Sequence, residues 1–211
     1  MEADLLIKNG QLYDPGGGIC RPGDLAVSGG RIISTQAGPD VRAAQALDAA
    51  GCLVLPGLID LHPHVSRFAT HIGVNPDIAC IPNGVTTVVD CGSSGVSNFR
   101  AGVRILREFE IRWRLVLHVS AGGQIMSTQF AENTDPAVWN VRYFEDAFRE
   151  YPDELVGLKI RASRDVLGAY GMEPVKKAVR LAGHLGTRLF VHATDCLCAM
   201  EELAGMLRPG E

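Results

Sequence analysis

Pro56-Gly57-Leu58-Ile59-Asp60-Leu61-His62-Pro63-His64 is the stretch on which the reading of this chain turns. It is a short apolar run that closes on two histidines, one residue apart. In an extended strand successive side chains alternate between faces, which predicts Asp60, His62 and His64 on one face and Ile59 and Leu61 on the other. Two imidazoles on one face can chelate a single metal ion through their ring nitrogens. A lone histidine is far more often a core or surface residue. An HxH at the end of an apolar strand puts the metal and structural readings on an even footing.

Downstream of this run, apolar segments alternate with helical ones. Strands are expected at 58–62, 86–90, 115–119, 155–160 and 189–192. A short helix limited by Pro82 is expected near 77–81, and Phe99 to Phe109 has helical spacing. Further helices open at Asp135-Pro136 and Glu173-Pro174, where proline suits the first turn because that turn needs no N–H. The second of these ends near Gly186, and a last helix starts near Cys198. Five strand–helix units in a row predict a parallel sheet covered by helices. The expected fold class is α/β, an incomplete TIM (β/α)8 barrel of about five βα units, because a closed barrel takes about 250 residues. Residues 1–55 read instead as short strands with turns at Asn9-Gly10, Asp14 to Gly18 and Ser28 to Gly30. The chain is therefore divided into a β domain, 1–55, and the first part of a barrel, 56–211.

Composition narrows the partners. With 46% hydrophobic residues among 211, the chain can bury a substantial core. Its net charge of −4 gives no electrostatic reason to expect nucleic acid or an anionic membrane. The acidic Met1-Glu2-Ala3-Asp4 start lacks the features of a signal peptide, and no apolar run approaches the roughly 20 residues of a membrane span. Six cysteines without a CxxC pair point to reduced thiols in the cytoplasm rather than a disulfide framework. A small-molecule substrate and a homo-oligomer are both compatible with this composition.

Other strand ends add chemistry. Lys159 stands in the apolar run Leu155 to Ile160, where a buried ammonium must find a partner, lose its proton or be modified. Its bland alternative is a lysine that reaches solvent. His192 ends the fifth strand. In parallel barrels the C-terminal strand ends form the active face, and His62, His64, Lys159 and His192 all fall there. Together they leave the bland reading little room. Period two also turns Arg161 toward that face, where it could clamp a substrate carboxylate or serve as a surface ion pair. Ser163 sits just beyond it. Cys91 reads as a buried inert thiol, the Gly92-Ser93-Ser94-Gly95 run as a strand–helix turn, and His118 as structural.

The run from Pro56 to His64 resembles the signature of the amidohydrolase superfamily, and the chain is most similar to its dihydroorotase-like branch, to deacetylase-type members. Asn83 to Asp90, Gly157-Leu158-Lys159 and Val191-His192 extend the resemblance over essentially the whole chain. It implies that residues 1–55 form part of a small β-sandwich beside the barrel. It implies two divalent metal ions, zinc foremost, with His62 and His64 on the more buried ion and His192 on the second. Lys159 would carry a carbamate bridging both, and a hydroxide of lowered pKa would attack an amide, N-acyl, cyclic amide or ester carbonyl. The resemblance also calls for a histidine after strand six and a catalytic aspartate after strand eight, both beyond residue 211. A second reading therefore stays open: a truncated, inactive fragment that retains at most metal or partner binding.

Overall fold

The computed structural model describes residues 2–67, 70–125 and 129–211. The chain divides into two compact units, Met1–Gly57 and Leu58–Glu211.

In the first unit β1 (Glu2–Asp14), β2 (Ile19–Ser28), β3 (Arg31–Ser34), β4 (Arg42–Asp48) and β5 (Leu53–Val54) form one sheet. Its order is β3-β2-β1-β4, with β5 also on β1. β1 runs antiparallel to β2 and parallel to β4 and β5. A small core of Ala3, Leu6 and Ala26 sits under it. The Asn9-Gly10 pair does not form the expected turn. It lies inside β1, where the register with β2 shifts between Ile7 and Gly10 and Asn9 takes a φ of 62°. The left-handed preference that favours a hairpin serves a β-bulge here. Asn9 is held there by its backbone N–H on Asp24 Oδ1 and its amide on Asp48 Oδ1, both at 2.9 Å.

The second unit is the expected α/β layer. β6 (Leu58–Asp60), β7 (Val85–Gly95), β8 (Arg112–His118), β9 (Leu155–Arg161) and β10 (Arg188–His192) form a five-stranded sheet in the order β10-β9-β8-β7-β6. Every neighbouring pair is parallel. It is the strand arrangement of an incomplete TIM barrel. Between strands run α1 (Pro76–Ala79), α2 (Phe99–Leu106), α3 (Val141–Glu150), α4 (Arg164–Leu167) and α5 (Glu173–His184), and α6 (Met200–Met206) follows β10. Among the described residues no helix is long and apolar enough to cross a membrane.

Periodicity explains the packing. α2 buries Phe99, Gly102, Val103 and Leu106, one helical face, against the sheet. α5 does the same with Val175, Ala178, Leu181 and Ala182. They meet Leu115, Leu117, Leu158, Ile160 and Leu189 in one continuous core. The helix expected from Asp135 to Tyr151 is two pieces, a 3-10 turn over Pro136–Val138 and then α3. Trp139 is extended between them, and the Asn140 side chain accepts from Arg142 N–H, so a fresh N-cap starts the second helix. The chain after α6 folds back onto β10: Leu189 N–H donates to Glu211 Oε1 at 3.2 Å, and Arg208 pairs with Glu211.

Candidate metal centre

β6 is shorter than expected. It stops at Asp60, whose Oδ1 accepts from the His62 N–H at 3.0 Å and turns the chain. The histidines therefore stand just past the strand, and strand alternation does not set their direction. A neighbouring strand does. Asp90, fully buried on β7, accepts from Val65 N–H (3.1 Å), Ser66 N–H (2.8 Å) and Ser66 Oγ (2.7 Å) through Oδ2, and from Ser93 N–H (3.1 Å) through Oδ1. Cys91 N–H also donates to Pro63 O at 3.0 Å. One carboxylate thus ties the loop carrying His64 to the end of β7. The His62 and His64 ring centres are 6.0 Å apart. His192, from the end of β10, brings its ring within 5.8 Å of His62.

Lys159 lies among them. It is 1% exposed, and its Nζ is 2.6 Å from His62 Nε2 and 3.3 Å from Cys91 Sγ. No carboxylate pairs with it among the described residues. Burial, opposed by the Cys91 contact, lowers its pKa from the ordinary lysine value. Burial also lowers the imidazoles, with the Lys159 charge adding to it: His62 falls to about 4, and His64 and His192 fall as well. These shifts favour the neutral imidazole, the form that binds metal. His64 Nδ1 meets Ser93 Oγ at 2.9 Å and His192 Nε2 meets Thr194 Oγ1 at 2.8 Å.

Glycine makes the room. Gly92 has a φ of 88°, and a Cβ there would sit 2.7 Å from Lys159 Cγ. The Gly92 to Gly95 run, read from sequence as a plain turn, is the end of β7, and its Gly92 packs on the lysine.

The mouth of the site is a cavity of about 520 Å³ lined by His62, His64, Ile72, Gln124, Arg161 and His192. Arg161 pairs with a buried acid: its Nη1 donates to both oxygens of Glu132, at 2.9 and 3.1 Å, and Gln124 Nε2 supports Glu132 Oε1 at 3.1 Å. Glu132, in the segment after β8, escaped the sequence reading because no strand or motif flags it. Ser163 is buried beyond β9, its hydroxyl without a hydrogen-bond partner among the described residues. His118 is fully buried, and its Nδ1 accepts from Ser120 N–H at 3.0 Å. His184 is on the surface, 2.7 Å from Glu145.

Among the described residues no three His, Cys, Asp or Glu side chains already form a metal cage. What is present is three imidazoles of lowered pKa around a buried amine that has no carboxylate partner among the described residues. Two imidazoles sharing a tetrahedral ion place their ring centres about 5 Å apart, so the 6.0 Å between His62 and His64 needs only a small closing. A carbamate on Lys159 would supply the missing anionic oxygens. The donor set fits.

Comparison with known proteins gives the class. No family model matches the chain. A deacetylase of Agrobacterium fabrum is 29% identical over 216 residues, covering 100% of this chain and 53% of that protein. A deacetylase of Brucella anthropi is 29% identical over 167 residues, 78% of this chain and 41% of the relative. The crystal structure of a dihydroorotase superposes with a TM-score of 0.86 at 26% identity, covering 98% of this chain and 55% of that one. An N-acyl-D-glutamate deacylase from Bordetella bronchiseptica, complexed with zinc and a phosphonate inhibitor, shares the fold at TM-score 0.59 and 18% identity, over 92% of this chain and 45% of its own. By sequence and by fold the chain is a relative of the amidohydrolases, whose matched members are hydrolases of carbon–nitrogen bonds. It spans about half the length of the curated relatives it matches.

Proposed function

We propose that this chain is the metal-holding part of a metal-dependent amidohydrolase of the deacetylase type. It would hydrolyse an amide, N-acyl, cyclic amide or ester bond of a small molecule. The observation that carries the reading is Lys159, fully buried, without a carboxylate partner among the described residues, and in contact with His62. An amine so placed, with its pKa lowered, reacts with carbon dioxide to give a carbamate. His62, His64, carbamylated Lys159 and His192 would then hold two divalent ions, zinc foremost. When bound, such ions polarise a carbonyl and activate water at neutral pH.

The residues around them have roles of their own. Asp90 and Ser93 orient His64, while Thr194 holds one nitrogen of His192. Arg161, anchored from behind by Glu132, offers its remaining donors to a substrate carboxylate at the cavity mouth. Ser163, buried just beyond β9 with its hydroxyl unpartnered among the described residues, is the second candidate for a substrate contact. Six free thiols suit a protein of the cytoplasm.

Metal analysis of the purified chain tests this. The expected result is metal bound in near-stoichiometric amount and lost in His62→Ala and Lys159→Met. Carbon-13 bicarbonate should yield a carbamate resonance that Lys159→Met abolishes. Less than about a tenth of a metal ion per chain, unchanged in His62→Ala, would sink the reading and favour an inert fragment.

A further inference from the structure

We infer that Cys196 and Cys198 form a dithiol site that closes reversibly to an intramolecular disulfide. Their sulfurs are 3.7 Å apart, in van der Waals contact, and both residues are partly exposed. The other cysteines differ: Cys80 and Cys91 are buried in the barrel unit, and Cys20 and Cys52 are exposed on the β unit.

The loop that carries the pair is already shaped for closure. It follows β10 and is pinned to the segment after β9 by three contacts. Ala162 N–H donates to His192 O at 2.7 Å, Arg164 N–H donates to Asp195 O at 3.0 Å, and Ser163 and Cys196 form an antiparallel bridge. Asp195 takes a φ of 48°, a left-handed turn that sends the chain back toward β9 before Cys196. The thiols are thus held together by the fold before any bond forms. A disulfide needs about 2.05 Å between sulfurs, which side-chain rotation and a slight adjustment of the short loop provide.

The partner is a low-molecular-weight disulfide such as oxidised glutathione. One thiolate attacks it, forming a mixed disulfide and releasing one glutathione thiolate. The second thiolate then attacks the protein sulfur of that mixed bond, forming the Cys196–Cys198 bond and releasing the second glutathione. Two protein thiols are oxidised and one glutathione disulfide is reduced to two thiols. Cysteines separated by one residue close a small ring, which makes the bond strained and readily reduced. It is therefore a reversible modification rather than a structural staple, consistent with a chain whose thiols are otherwise free.

The experiment exposes the full chain to glutathione buffers of rising oxidised fraction, traps free thiols by alkylation and maps the peptides by mass. The expected product is a 196–198 peptide that has lost two hydrogens and carries no glutathione, reversed by dithiothreitol. Cys196→Ser and Cys198→Ser should each instead carry one glutathione on the remaining cysteine. The proposal is overturned if Cys196 and Cys198 stay alkylatable where Cys20 and Cys52 are already glutathionylated. It is equally overturned if the wild-type peptide stops at the glutathione adduct. Neither outcome depends on metal binding, so this site and the proposed function stand or fall separately.

Discussion

The side chain of Lys159 runs through the space that a Cβ on Gly92 would fill, 2.7 Å from the lysine Cγ and 2.9 Å from its Cβ. Glycine at 92 is thus required twice, by its φ of 88° and by the lysine beside it. Gly92→Ala should cost about 2 kcal/mol of stability through backbone strain and crowding. It should also reduce metal content, because the lysine must move. Urea unfolding and metal analysis of one preparation check both, and an alanine variant with wild-type stability and metal would contradict this packing.

Asp90 makes a different demand, since it accepts four hydrogen bonds from the His64 loop and the β7 end. Asp90→Ala strands three buried N–H groups and a hydroxyl, with an expected cost of about 3 kcal/mol or more. Asp90→Asn keeps the shape and should cost less. Amide hydrogen exchange at Val65 and Ser66 should rise in both variants ahead of the sheet amides.

The Glu132–Arg161 pair can be read in a double-mutant cycle. Arg161→Met leaves the buried Glu132 carboxylate without its counter-charge, held only by the Gln124 amide, and should destabilise by about 3 kcal/mol. Glu132→Gln should cost less, and the double variant less than the sum of the two. A strictly additive cycle would mean that the pair is not coupled.

The same pair sets a pH dependence. Burial, the largest single influence on Glu132, pushes it up, but the Arg161 hydrogen bonds and the other favourable contacts outweigh burial and hold the carboxyl below its usual range. A folded value below the unfolded one contributes stability that is present above the unfolded pKa of about 4.3 and is lost as pH falls through the folded value. Stability curves for wild type and Glu132→Gln should therefore converge as pH falls from the unfolded value through the lower folded one. Parallel curves down to acid would assign the lowered carboxyl elsewhere.

Metal loading should stabilise the barrel unit alone, because ligands that bind only the folded form shift unfolding by mass action. Adding zinc at a hundredfold excess over its dissociation constant should add about 2.7 kcal/mol. Chelation should remove that gain, and His62→Ala should show none of it.

Much of this architecture was legible in the chain itself. The apolar strands at Leu115, Leu155 and Leu189 and the one-sided helices at Phe99 and Val175 stand where their periods place them, because burial on one face writes itself into spacing. The alternation of the two predicted the parallel sheet. Local chemistry was less reliable where two structures use the same conformation. Asn9-Gly10 supplies a positive φ to a bulge as readily as to a hairpin turn, and only pairing with β2 and β4 chose between them. Asn140 likewise caps a new helix inside what looked like one continuous segment.

The candidate site divides along the same line. Its donors, His62, His64, Lys159 and His192, were named from strand ends alone, since their residue types and positions are local facts. Their convergence was not local. β6 ends before His62, so it is Asp90 on β7, bonding backbone N–H groups across the sheet, that sets the loop direction. The room for Lys159 comes from Gly92, and the anchoring of Arg161 comes from Glu132 and Gln124. None of these partners is near its target in sequence. Hydrophobic spacing alone determined which strands and helices form and which residue types end them. Tertiary structure decided how those ends are aimed, because hydrogen bonds and steric space act between residues that only the folded sheet brings together.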